Sequence, residues 1–179
     1  YSALILLLVD LFADPSNLSM VMLWLRQFVS LLPMLGAVWV LTYLQTRLKS
    51  WRAVPVFLFL LLIPGVVKNN FWWHPDSLAI LFAVLVIFFL ERDALRFGRH
   101  FYLAAAMCGF SAGTKGIGFY FFLTVFVYLL LGLFTRRVRL PRLILSAFGF
   151  LAVMAAAYWA ANPTLMFASI RRGYFSVMS

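Results

Sequence analysis

Two charged residues stand beside apolar runs, away from the chain's basic clusters. Asp76 closes the stretch K-N-N-F-W-W-H-P-D, residues 68–76, and leads straight into the hydrophobic run S-L-A-I-L-F. Lys115 lies in G-T-K-G-I-G, residues 113–118, among Gly113, Gly116 and Gly118. A carboxylate at a helix start gains from the positive end of the backbone dipole. There Asp76 can bind a divalent cation, hydrogen-bond a substrate hydroxyl, or simply cap the helix. His74 can ligate a metal as a neutral imidazole or meet a phosphate once protonated. Beside Trp72 and Trp73 it can equally belong to an interfacial aromatic belt. A lysine in apolar sequence is expensive unless it is paired or near water. With glycines exposing backbone N–H groups around it, Lys115 suits an anion such as phosphate. The Gly-x4-Gly-Lys-Ser/Thr spacing of a P-loop is missing. The plainer alternative is a lysine that snorkels to the headgroups. Arg26 lies within a long apolar stretch, where it needs a protein partner, a lipid phosphate or a snorkelling path.

These residues must be positioned by helices in a membrane. Of the 179 residues, 65% are hydrophobic and 11% charged, against roughly a quarter charged in soluble domains. Apolar runs of spanning length recur, so the expected fold is all-α, a polytopic integral membrane helical bundle. The expected spans are 18–48, 53–67, 75–90, 101–112, 119–134 and 143–161, forming one transmembrane domain. They follow a short apolar stretch at 1–13 and a D-P-S-N turn at 14–17, with Asp14 or Ser16 near the cap. Pro75 fits the first turn of its helix. No internal repeat is visible. Cys108, the single cysteine, is expected to be a packing residue. The chain opens without Met and closes in a polar stretch, so it is expected to be a piece of a longer polypeptide.

The net charge of +10 is no nucleic-acid signal. The cations fall in short clusters between apolar runs: Arg47, Lys49 and Arg52; Arg92, Arg96 and Arg99; Arg136, Arg137, Arg139 and Arg142. That pattern marks cytoplasmic loops. Glu91 and Asp93, inside the second cluster, are expected to be solvated partners of Arg92 and Arg96. Alternation then puts 68–76, 113–118, N-P-T at 162–164 and the Asp14 turn together on the opposite face. The fourth span, at about twelve residues, would measure roughly 18 Å, well under the roughly 30 Å hydrocarbon core. The glycine-rich break after it should therefore lie below the membrane surface, lining a wet cavity into which Lys115 projects.

H-P-D-S-L-A-I-L-F-A-V-L-V-I-F-F-L-E-R resembles the segment that opens a transmembrane helix in GT-C glycosyltransferases, the superfamily of protein O-mannosyltransferases and the lipid A aminoarabinose transferase. A-G-T-K-G-I-G-F-Y-F resembles their downstream Thr-Lys stretch set among glycines. L-W-L-R-Q-F-V-S-L-L-P-M-L-G-A-V-W-V-L-T-Y-L is similar in style to their second helix. The resemblance covers most of the chain. It implies transfer of a sugar from a polyprenyl-phosphate donor to an acceptor on the extracytoplasmic or lumenal face, with the general base upstream of Tyr1. Asp76 would then be a second acidic residue, binding a divalent metal ion or ordering the site, with His74 a weaker metal candidate. Lys115, Arg26 and His74 would bind the donor phosphate. Lys68, Asn69, Trp73, Thr114 and Asn162 would form the cavity rim. The implied partners are the lipid-linked donor, membrane lipids, the rest of the same polypeptide and a further copy in an oligomer. The implied location is a bacterial or archaeal plasma membrane rather than the endoplasmic reticulum. A secondary transporter or lipid flippase would also show broken helices and a buried lysine, and a non-catalytic assembly subunit is the third alternative.

Overall fold

The computed structural model describes residues 3–70, 74–163 and Phe167, and every described element of regular structure is a helix. Helix α1 is Ala3–Asp10. In the turn after it, Asp14 accepts hydrogen bonds from the Ser16 amide at 2.9 Å and hydroxyl at 2.8 Å. These bonds favour the charged form and hold its carboxyl below the usual carboxylate range. The cap of the next helix is neither Asp14 nor Ser16. It is Asn17, whose side chain accepts from the Met20 N–H at 3.2 Å.

Helix α2, Leu18–Thr46, contains one wide turn of π type at Gln27–Leu31. It stops short of the expected Leu48 because Arg47 and Leu48 take left-handed backbone, with φ of 55° and 54°. The expected span 53–67 is two helices, α3 at Ala53–Leu61 and α4 at Pro64–Asn70. Pro64 has no N–H to bond backwards and its ring crowds the preceding turn, so α3 ends before it. A proline is at home in a first turn, so α4 starts on it.

Helix α5 is Asp76–Asp93, α6 is Arg99–Thr114, α7 is Phe122–Phe134 and α8 is Leu140–Ala161. A 3-10 segment, Gly116–Phe121, precedes α7, so the expected span from 119 begins in tighter helix. Pro141 sits in the first turn of α8, which therefore starts before the expected residue 143. Helix α6 runs through Gly113 and Thr114, where the sequence suggests a break, and ends only at Lys115, whose backbone is extended. Its 16 residues measure about 24 Å rather than the expected 18.

Helix α6 is central because its side chains are small. Ala104, Ala105, Cys108, Gly109, Ser111 and Ala112 are all buried, which lets α5 and α8 approach on two sides. Gly109 lies against Met154 and Ala157, and Gly113 against Ala161 and Asn162, so α6 and α8 run parallel. Helices α5 and α6 run antiparallel, with Ser111 Oγ donating to the Ala79 carbonyl at 3.1 Å. Ser111→Ala should cost about 1 kcal/mol in unfolding free energy, the net worth of one such bond. Helices α2 and α5 are parallel: Ser30 meets Ser77 at 3.5 Å, and the rings of Tyr43 and Phe88 meet edge to face. Main core residues include Val86, Leu90, Phe101, Val125, Phe150 and Met154. A second, smaller core joins α1 to the start of α2 through Val9, Ala13, Leu25 and Val29. Phe12, Trp24 and Phe28 stack beside it, with 4.9 Å between the first two ring centroids.

The three basic turns gather at one end of the bundle. Arg47 pairs there with Glu91, and Arg92 donates to the Tyr43 hydroxyl at 3.4 Å. Asp93 overturns the expectation that it is solvated. It is 2% exposed and accepts three hydrogen bonds: from the amides of Phe97 (2.8 Å) and Gly98 (2.9 Å) and from the Tyr128 hydroxyl (2.8 Å). The Tyr128 oxygen in turn accepts from the Leu95 amide at 2.6 Å. The cause is the backbone. Ala94, Leu95 and Phe97 are all left-handed, with φ of 51°, 59° and 54°, and their turn points N–H groups inward at the carboxylate. Ala94 is exposed and occupies the position after α5 where glycine is usual. Ala94→Gly should therefore raise the unfolding free energy by about 0.5–1 kcal/mol, as lost left-handed strain outweighs added chain entropy.

Among the described residues two helices, α2 and α8, are long and apolar enough to cross a membrane, and 39% and 22% of their most apolar stretches are buried.

Candidate functional site

At the end of the bundle away from the basic turns, α5 begins and α6 stops. Their antiparallel packing brings residues 39 positions apart into contact: Lys115 Nζ donates to Asp76 Oδ1 at 2.5 Å. Asp76 is the first residue of α5, directly after Pro75 at the cap position, and it is ion-paired rather than a solitary acid. Its carboxylate combines a lysine with the positive end of a helix. The two side chains are 44% (Lys115) and 35% (Asp76) exposed. At that exposure an ion pair contributes about 0–1 kcal/mol to stability. Holding the fold together does not account for it.

The pair borders apolar space on two sides. Asp76, Ala79, Ile80, Ser111, Lys115 and Phe121 line a cavity of about 290 Å³ between α5, α6 and the 3-10 segment. A second cavity of about 400 Å³ runs between α2, α3, α4 and α5, with Met34, Val38, Leu41, Leu60 and Val66 on its walls. Asp76 and Ile80 belong to both. A part-exposed charged pair therefore stands where two apolar clefts meet. Chemically, the arrangement can present an ammonium to an anion and then a freed carboxylate to a hydroxyl.

The other expected residues fall out differently. Arg26 is half-buried on α2, one turn before Ser30. His74 is exposed, two residues from Asp76. Lys68 is exposed on α4. Asn69 lies on the same helix, but its side chain, like Trp72, Trp73 and Thr164, falls outside the described residues. Thr114 is turned to its own helix, its hydroxyl donating to the Phe110 carbonyl at 2.7 Å. Asn162 donates to the Gly113 carbonyl at 3.0 Å and the Tyr158 carbonyl at 3.2 Å. These bonds tie Thr114 and Asn162 to the last turn of α6, next to Lys115. Among the described residues no three His, Cys, Asp or Glu side chains gather as metal ligands.

Sequence reasoning missed Ser111, Ile80 and Phe121 as cavity walls. The signal for Ser111 was the spacing: it lies four residues before Lys115, hence on the same helical face. No protein-family model, curated protein or solved structure matches the chain.

Proposed function

We propose that this chain is part of a multi-pass membrane transferase. In this reading it moves a sugar from a polyprenyl-phosphate donor to an acceptor at the Asp76 end. The observation that carries the reading is the part-exposed Lys115–Asp76 pair at the junction of two apolar cavities. A lipid-linked phosphate needs both a cation and an apolar channel, and here they adjoin. Support for a bilayer setting comes from side chains such as Leu145, 72% exposed, and Phe148, 66% exposed, on a helix long enough to span. The basic turns at the other end then face the cytoplasm.

In this mechanism an incoming phosphate draws the Lys115 ammonium away from Asp76. The freed carboxylate accepts a hydrogen bond from a sugar hydroxyl and orients the ring. As the acceptor's nucleophilic atom bonds to the anomeric carbon and gives its proton to the base, the bond from that carbon to the phosphate oxygen breaks and negative charge grows on the departing phosphate. In this reading Lys115 meets that developing charge, and a preplaced charge there stabilises the transition state, with Arg26 and His74 as further groups for the phosphate. A divalent ion, where one is required, would take Asp76 as its ligand. The base that activates the acceptor is not assigned to a residue of this chain.

The test is sugar transfer in proteoliposomes by the polypeptide carrying this sequence, from a panel of polyprenyl-phosphate sugars. Asp76→Asn and Lys115→Ala should each slow transfer by about 100-fold or more, while unfolding free energies shift by less than about 1 kcal/mol. Undiminished transfer in both variants would sink the residue assignment. No transfer from any donor, together with transbilayer movement of a lipid or solute, would replace the transferase by a transporter.

A further inference from the structure

At the basic end, the α2–α3 turn combines charge and an apolar cleft. Lys49, Trp51 and Arg52 are all exposed, Trp51 at 80%. Arg47 is taken by Glu91, whereas among the described residues neither Lys49 nor Arg52 meets an acidic side chain. Directly beneath the turn, Gln45, Pro55, Val56, Phe59 and Leu60 line a cleft of about 440 Å³ between α2 and α3. Phe59 is 71% exposed and Leu58 50%, so this side of α3 is uncovered. The turn is held in shape by local bonds, with the Arg52 amide donating to Ser50 Oγ at 3.2 Å and the Ala53 amide to the Ser50 carbonyl at 3.0 Å.

We infer that this turn is a binding site for one anionic phospholipid. Its phosphate lies between Lys49 and Arg52, its glycerol level with Trp51, and one acyl chain in the cleft. The inference rests on the membrane-spanning part of the reading above, not on sugar transfer. Charge complementarity selects the headgroup. Two unpaired cations on a short turn match a headgroup with net negative charge, and a zwitterionic one brings its own cation to be repelled. The cleft gives what a scattered basic surface lacks, an apolar slot in register with the charges. Trp51 suits the interface, where an amphipathic ring sits at headgroup depth.

The experiment uses the protein purified in mild detergent and exposed to phosphatidylglycerol or phosphatidylcholine of equal chain length, with retained lipid counted by native mass spectrometry. Wild type should retain phosphatidylglycerol at least tenfold over phosphatidylcholine. Lys49→Gln with Arg52→Gln should abolish that preference, and Arg142→Gln, in another basic cluster, should leave it intact. Val56→Trp, which fills the cleft and keeps both charges, should also lower retention several-fold. Equal retention of the two lipids, or a double variant that behaves like wild type, would overturn the site. A Val56→Trp protein with full retention would overturn the acyl-chain half of it. Extraction of the protein from membranes by alkaline carbonate would overturn the membrane reading itself, a separate result from any headgroup preference.

Discussion

Asp93→Ala should lower the unfolding free energy by about 3–5 kcal/mol, the range for stripping one partner from a buried charged cluster. The carboxylate takes the amides of Phe97 and Gly98 and the Tyr128 hydroxyl, and 2% exposure leaves little water to replace it. An orphaned buried donor costs about 1–3 kcal/mol, and three would be orphaned together. The left-handed turn at 94–97 depends on this anchoring, since each non-glycine residue in that conformation costs about 1–2 kcal/mol. Tyr128→Phe should cost less, about 1–3 kcal/mol, through the relay from Leu95 to Asp93. Urea or thermal unfolding of both single variants and the double variant in micelles gives a cycle, expected to show coupling above about 1 kcal/mol. An Asp93→Ala protein within about 0.5 kcal/mol of wild type would mean that water or another side chain replaces the carboxylate.

Gly109→Ala comes next in size. A Cβ built there would stand 2.2 Å from the Met154 carbonyl oxygen and 2.8 Å from the Ala157 Cβ. The nearer obstacle is backbone, so no rotamer change relieves it and α6 must separate from α8. The expected loss is about 3 kcal/mol or more, at the upper end for overpacking. Gly113→Ala should divide its effect differently. Its Cβ would meet Asn162 Nδ2 at 2.7 Å and the Ala161 Cβ at 2.9 Å, and a side-chain amide can swing away. Doing so releases the last turn of α6, so Lys115 loses its position and transfer should fall further than stability does. Gly65→Ala, with nothing within 4 Å of the new Cβ, is the near-neutral control. Equal stability of the Gly109 and Gly65 variants would show that α6 and α8 do not pack as closely as described.

The sorting of polar motifs from basic loops could be made from the sequence because charge bias and helix count are counting properties of the chain. Asp76 and Lys115 each stood out through the rarity of charge in apolar surroundings. Their pairing did not, because it depends on how far α6 runs before Lys115, and the glycines there read as a break. Gly109 and Gly113 have the Gly-x3-Gly spacing that lets membrane helices approach, but Gly113, taken with Gly116 and Gly118, reads as a loop. Asp93 was hidden for a different reason. Counted locally it sits among arginines, and only Tyr128, 35 residues away, together with three left-handed residues, turns it inward. The π turn in α2 and the split at Pro64 show the same limit from the other side. Apolar composition is continuous through both, while backbone geometry is not.

The π turn has a consequence for how the molecule opens. It lies at Gln27–Leu31, at the seam between the small core shared by α1 and the start of α2 and the larger core built around α6. A wide turn carries weaker backbone hydrogen bonds than the α-helix on either side, so it marks the place where cooperativity is easiest to break. Amide hydrogen exchange should therefore resolve two units rather than one. Residues 5–25 should exchange through a shared sub-global opening of low free energy, while α5 and α6 exchange only when the whole bundle comes apart.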